Sequence, residues 1–234
     1  SVTAGYRAEI DNSTKYPNIS NNAINLYGTA AMESVSLGGW NASTTLGTNV
    51  FENNVLYLGG TVDGATVNGI ALAPWQGYAV DSTTVNNTVT SVYGFNTIAL
   101  QRVNWSTTIP ALKVSGSVYN FGGGLDISGM TFVNTATPSG TMTLLDGGSG
   151  LYKDNNVNKI DALTLTYSGG TATLNADNLS QIVKTETGLT AGTGGVTIGY
   201  NSTHTVALAN ENKNITYTVA HSPVNKITLG EIAW

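Results

Sequence analysis

The sequence predicts an all-β chain built as a parallel β-helix, a solenoid in which short strands stack coil upon coil. Three observations carry that prediction. The stretch NNAINLYGT at 21–29 returns as NNVLYLGGT at 53–61 and, more loosely, as NNTVTSVYG at 86–94, at spacings of 32 and 33 residues. A second marker interleaves with the first: AGYRA at 4–8, GGWNA at 38–42 and APWQG at 73–77, whose aromatic residues Tyr6, Trp40 and Trp75 stand 34 and 35 residues apart. Two markers at nearly one period argue for an internal repeat. Composition is the third. Only 10 % of the 234 residues are charged, against roughly 25 % in ordinary globular chains. Neutral amides and hydroxyls must therefore make the polar surface, and Thr, Val and Tyr favour strands while Gly and Asn favour turns.

Taken in order, the strands of residues 1–98 are AINLYG, ESVSLGG, NVLYLGG, ATVNGIAL and NTVTSVYG, each alternating apolar and polar residues over four to six positions and bounded by Gly or Asn. None is large enough to bury its own face, so neighbours must stack on it. In that arrangement coils lie ~4.8 Å apart, and Asn at one corner of successive coils forms a ladder of side-chain amides. From residue 99 to 234 the regularity fades into less regular coils or a cap. Its strands are TIALQRVNW, which starts at Thr97, then ALKVSGSVYNF, GMTFVNT, GTMTLLDG, KIDALTLTYSGG, TATLNAD and GGVTIGYN, with NKITLGEIAW last. TVALANENKNITYTV reads as a hairpin with a polar loop at 210–214. One segment departs from the pattern: in ADNLSQIVKTE, 176–186, the spacing of Leu179, Ile182 and Val183 fits one or two helical turns.

These units, with their NNTV-like strand starts, their VYGF and GGW corners and the phrases TMTLLDGGSGL and NKITLGEIAW, resemble the passenger regions of bacterial autotransporter proteins, in particular the adhesin or haemagglutinin-like members. The resemblance implies a right-handed helix displayed at the cell surface or secreted, with a C-terminal barrel anchoring the parent in the outer membrane. It implies that this stretch is the membrane-proximal end of such a passenger, and that it is an excised part of a longer chain.

Charge and motif exclude several other functions. The net charge is −5, with nine Lys and Arg scattered along the chain, so no basic cluster meets nucleic acid or an anionic membrane. No apolar run approaches the ~20 residues of a spanning helix. Cysteine is absent, which suits a chain that crosses a narrow pore unfolded. Glu33 and Asp63, each following a recurring Thr (Thr29, Thr61), are the one tempting acid pair for a polysaccharide-degrading β-helix, since glycoside hydrolysis needs two carboxylates about 5 to 10 Å apart; insertions between the markers spoil their register. DNNVNKID, 154–161, begins like a calcium loop with Asp154, Asn156 and Asn158, but Lys159 stands where Gly is required and Leu165 where a bidentate Glu belongs. An Asx-turn is the plainer reading. His204 and His221 have no partner at metal-ligand spacing, GGG at 122–124 lacks the Lys of a phosphate loop, and GGSGL is not a nucleophile elbow. Asn-x-Ser/Thr sequences begin at Asn12, Asn18, Asn41, Asn86, Asn104, Asn178, Asn201 and Asn214, as chance supplies in this composition.

The function expected is therefore non-enzymatic: a monomeric adhesin fragment without cofactor or metal, presenting corner loops to a host glycan or surface protein. Tyr6, Trp40 and Trp75 are the candidate ligand-binding residues if their rings are exposed, though packing between coils is the plainer role. The alternatives are the polysaccharide-degrading enzyme and a phage tailspike or surface-layer structural protein.

Overall fold

The computed structural model describes residues 2–4, 18–28, 32–37, 50–60, 66–67, 70–71, 88–154, 157–191 and 196–229. Every regular element among them is a strand, and none is a helix of the length and apolarity needed to cross a membrane. Most strands belong to two sheets, one of nine strands and one of six.

The six-stranded sheet is the plainer. Ala23–Leu26, Val55–Leu58, Thr97–Leu100, Gly124–Asp126 and Ala162–Tyr167 pair side by side in parallel, and Gly170–Asn175 closes the edge as an antiparallel hairpin. Alternation in AINL and VLYL turns every second residue inward. The parallel register then sets Ile24, Leu56, Ile98, Leu125 and Leu165 in one column, all buried. Each such side chain contributes roughly 1.5–3 kcal/mol of apolar burial, and a slip of one residue would turn the whole column to water.

The nine-stranded sheet begins the same way. Val2–Ala4, Met32–Leu37, Thr88–Tyr93, Leu112–Tyr119 and Gly140–Asp146 are parallel neighbours, with Gly150–Leu151 beside the far half of Leu112–Tyr119. Val35, Val92, Val118 and Leu151 form its buried column, continuous with that of the other sheet in one core that also encloses Phe95 and Phe121. The pattern then changes. Asn214–Leu229 pairs antiparallel with Gly140–Asp146, and Val196–Ala209 and Ser180–Ala191 follow outward, also antiparallel. Both sheets contain strands from either side of residue 98.

The doubled Asn has a division of labour. Asn21 and Asn53 adopt φ of 58° and 55°, a left-handed turn that Asn tolerates better than most residues. The next residue makes the ladder. The backbone N–H and the Nδ2 of Asn22 both donate to Asn54 Oδ1 at 3.0 Å, across 32 residues, and the Asn54 N–H donates to Asn96 Oδ1 at 2.9 Å, across 42. Asn54 Nδ2 donates to the carbonyls of Ile19 and Gly94, and Asn96 Nδ2 to that of Phe51. On the outer side Asn53 Nδ2 donates to Asn21 Oδ1.

The third member is thus Asn96, not the Asn86 that spacing singles out. Asn86 itself lies outside the described residues. The strand after it, Thr88–Tyr93, pairs with Met32–Leu37 and Leu112–Tyr119 and so belongs to the other sheet. The antiparallel pair Thr66–Val67 and Ile70–Ala71 falls between Asn54 and Asn96, which are 42 residues apart against 32 for Asn22 and Asn54.

The helical turns expected at 176–186 are absent. Ser180–Ala191 is a strand in which Ile182 is 54 % exposed and Val183 8 %. Backbone pairing with Val196–Ala209 outweighs the local helical spacing of three apolar residues. The hairpin expected at 210–214 is present, turning through Asn210, Glu211 and Asn212 at φ of 49°, 54° and 63°.

Three stability outcomes follow from the corners. Asn54→Ala strips partners from the Asn22 N–H and from two carbonyls at a fully buried position, and denaturant unfolding should show a loss of roughly 2–4 kcal/mol. Asn53→Gly, which keeps the turn and loses one exposed amide bond, should cost less than about 1 kcal/mol; equal losses would mean the ladder does not hold the corner. Glu211→Gly should raise stability by about 1 kcal/mol, because only the glutamate carries a Cβ penalty at that φ.

Candidate functional site

Along Val196–Ala209 the inward residues are Ser202, His204, Val206 and Leu208. The last two lie in the apolar core; the first two continue the same face in polar form. His204 is 4 % exposed, and its imidazole is held at both nitrogens. Nε2 lies 3.0 Å from Glu186 Oε1 and Nδ1 lies 2.9 Å from the Tyr217 hydroxyl. A carboxylate only accepts, so Nε2 carries the proton and donates it to Glu186, while Nδ1 accepts from Tyr217 O–H. The second Glu186 oxygen takes the ammonium of Lys184, two residues earlier on the same strand. Lys184, Glu186, His204 and Tyr217 are one relay across three antiparallel strands.

Its electrostatics follow from burial and charge. Burial pushes the His204 imidazole below its ordinary value of 6.5, and the Glu186 carboxylate only partly restores it. The ion pair with Lys184 holds Glu186 below its ordinary value, against burial and with help from His204. Burial, reinforced by the Glu186 charge, pushes the Tyr217 hydroxyl up to about 12.

Over this relay opens a cleft of about 390 Å³. One wall is the stretch 127–138, carrying Met130, Phe132 and Pro138, and Tyr167 lines the cleft as well. The wall is pinned in three places. Asn134 exchanges hydrogen bonds with the Trp105 backbone, accepting at 2.7 Å and donating at 2.9 Å. Trp105, Phe132 and Tyr217 meet edge to face, with ring centroids 5.0 to 6.3 Å apart. His221 Nε2 donates to the Pro138 carbonyl at 3.0 Å, and its Nδ1 accepts from the Ser202 hydroxyl at 2.8 Å. The two histidines of the sequence thus serve one site: His204 in its floor, His221 fastening its wall.

The residues singled out by sequence fare differently. Tyr6, Trp40, Trp75 and Asp63 lie outside the described residues. Glu33 lies within the strand Met32–Leu37, and its side chain is outside them too. An aromatic column does form, but from other residues. Phe51, Tyr93, Tyr119 and Tyr152 follow one another at centroid distances of 5.6, 6.3 and 5.9 Å, the last pair stacked at 19°. Phe51 meets Tyr93 edge to face at 80°, and Tyr93 and Tyr119 are tilted at 47°, so only the last pair covers ring faces. The VY-x-F phrases at 92–95 and 118–121 are the signal for it.

The loop 154–161, of which Asn155 and Asn156 lie outside the described residues, is held by the Asp154 side chain, which bonds three and four residues on rather than the two of an Asx-turn. Asp154 Oδ1 accepts the N–H groups of Val157 and Asn158 at 2.8 and 2.9 Å, and Asn158 Nδ2 donates to Oδ2. Burial alone would raise the Asp154 carboxyl; the bonds from Asn158 and Val157 outweigh it and hold the group low. Lys153 beside Asp161 lowers that carboxyl too. Among the described residues no three His, Asp or Glu side chains gather as a metal would need.

Sequence reasoning misses Lys184 and Glu186 because the helical spacing of 176–186 hides a strand, and Tyr217 because its partner is on another strand. The available signal is His204 itself, at an inward position in the alternating run GYNSTHTVALA.

The relay makes stability fall on acidification. His204 is kept neutral in the fold, whereas the unfolded chain takes up its proton near 6.5; stability is complete above that pH and declines as pH falls toward the lower folded value. Glu186 adds stability present above 4.5 and lost as pH falls through its own depressed value. Thermal melts between about pH 7 and pH 5 should show a declining midpoint, and His204→Gln should flatten that segment while leaving the carboxylate-driven decline at lower pH.

No protein-family model, no curated protein and no solved structure matches this chain, so its function is argued from the site and the fold alone.

Proposed function

We propose that this chain is a non-enzymatic adhesive module of a bacterial surface or secreted protein: coils of a right-handed parallel β-helix forming a stalk, closed by an antiparallel cap that carries the binding cleft. The observation that carries the reading is the parallel register. Columns of Ile and Leu from strands far apart in sequence, with the Asn22 carboxamide bonded to that of Asn54 and the Asn54 backbone N–H to that of Asn96, are what stacked coils of a solenoid require. Such a stack is a rigid scaffold whose free surface lies in its loops and at its end, where recognition belongs.

The surface chemistry supports the same role. A chain with few charges and many amides and hydroxyls presents neutral hydrogen-bonding groups to a host glycan or surface protein. In the cleft, Glu186 is the one carboxylate among the described lining residues, and both its oxygens are already engaged by Lys184 and His204. A glycoside-cleaving site needs a second carboxylate free to move a proton; a carboxylate tethered at both oxygens suits holding a ligand. The resemblance to autotransporter passengers supports a location outside the cell.

Beads coated with the purified chain should adhere to cultured epithelial cells well above albumin-coated beads, and soluble chain should compete. Adhesion no greater than that of albumin would overturn the adhesive reading.

A further inference from the structure

We infer that the cleft over His204 is a recognition site for a neutral saccharide, an inference that rests on the adhesive reading above and names the ligand class of that site. Its volume of about 390 Å³ falls in the range of small-molecule sites, ~300–1,000 Å³. The lining has the two halves a pyranose ring needs. Phe132, Met130 and Tyr167 offer apolar surface for the C–H face of a sugar. The same cleft is lined by the Lys184 ammonium and the Glu186 carboxylate, which stand side by side, 52 % and 42 % exposed. Each sugar hydroxyl both donates and accepts, and a vicinal pair of hydroxyls finds a donor and an acceptor in adjacent positions here. Lys184 has three N–H groups and gives one to Glu186; each Glu186 oxygen retains a lone pair beyond its present bond.

Charge decides between neutral and acidic sugars. Lys184 and Glu186 cancel, and burial disfavours the charged form of His204. A uronate, sialate or sulfate would meet Lys184 only with Glu186 at its side, so like charge opposes it. A divalent cation would find one carboxylate among the described lining residues, too few to hold it.

The donor–acceptor pair is also set in place before any ligand arrives. Tyr217 fixes His204, His204 fixes Glu186, and Glu186 fixes Lys184. A sugar binding there need not freeze those side chains, which is where much of the entropic cost of binding otherwise falls. His204 is thus a positioning residue, buried beneath the groups that touch the ligand.

The test uses the whole chain on an array of neutral oligosaccharides built from hexose, N-acetylhexosamine and fucose, printed beside their sialylated and sulfated counterparts. Binding should appear on neutral glycans and fall at least tenfold on the acidic ones. Glu186→Gln and Lys184→Ala, both at partly exposed positions, should each lose at least tenfold, with melting curves confirming that they fold. Phe132→Ala should lose as much, but it packs on the core, so the two polar variants are the decisive ones. Lys153→Ala, at a separate recess beside Asn120 and Asp161, should bind as the unaltered chain does. In His204→Gln the loss should be a slower, weaker association that Lys184→Ala no longer aggravates, the signature of one acting through the other. No signal on any neutral glycan, preference for acidic ones, or binding untouched in both polar variants would each overturn the inference. Periodate oxidation of the cells in the bead assay separates it from the adhesive reading. Adhesion abolished by periodate supports a saccharide; adhesion that survives leaves an adhesive module with a protein partner, and the inference falls alone.

Discussion

Short strands stacked in parallel leave backbone donors and acceptors open at every corner, and the carboxamide of Asn54 is what closes them here. It is wholly buried and joins three segments at once: Oδ1 takes the Asn22 N–H, while Nδ2 reaches the carbonyls of Ile19 and Gly94. Buried backbone groups left without partners are costly. A side chain with acceptor and donor on one rigid plane answers both needs; a carboxylate of similar size answers one. The columns of Ile, Leu and Val depend on this corner, because they coincide only while each strand starts at the same level as its neighbour.

The site depends on where that regime ends. Parallel pairing holds from Val2–Ala4 to Gly140–Asp146 in one sheet and to Ala162–Tyr167 in the other; then both sheets turn antiparallel. An antiparallel sheet can keep one face on a core and leave the rest to water. On Val196–Ala209 the buried face passes from Leu208 and Val206 to His204 and Ser202, so that hydrogen bonds take over where the apolar core runs out. The stretch 127–138 stands against those polar residues, fastened through Asn134, Phe132 and Pro138. Between a relay that is held and a wall that is held, the cleft remains open. Groups fixed on both sides would serve the recognition proposed for this cleft.

The sequence by itself determined the local matters. Alternation and Gly/Asn punctuation located strands such as Ala23–Leu26 and Val55–Leu58 and the hairpin turn at 210–214, because side-chain period and turn chemistry act over a few residues. The doubled Asn told of a corner at 21–22 and 53–54 and of amides bonding across it. Tertiary structure decided everything that needs a partner distant in sequence. Asn96 rather than Asn86 continues the ladder because register is set across the sheet, not along the chain, and a loop of any length can intervene at small entropic cost. Ser180–Ala191 is a strand because Val196–Ala209 lies beside it to bond with, and that pairing is invisible in ADNLSQIVKTE alone. The relay of Lys184, Glu186, His204 and Tyr217 comes from three strands whose order only folding fixes. His204 in isolation gave no sign of its carboxylate, since a hydrogen bond between residues 18 apart leaves no mark on either one's neighbours.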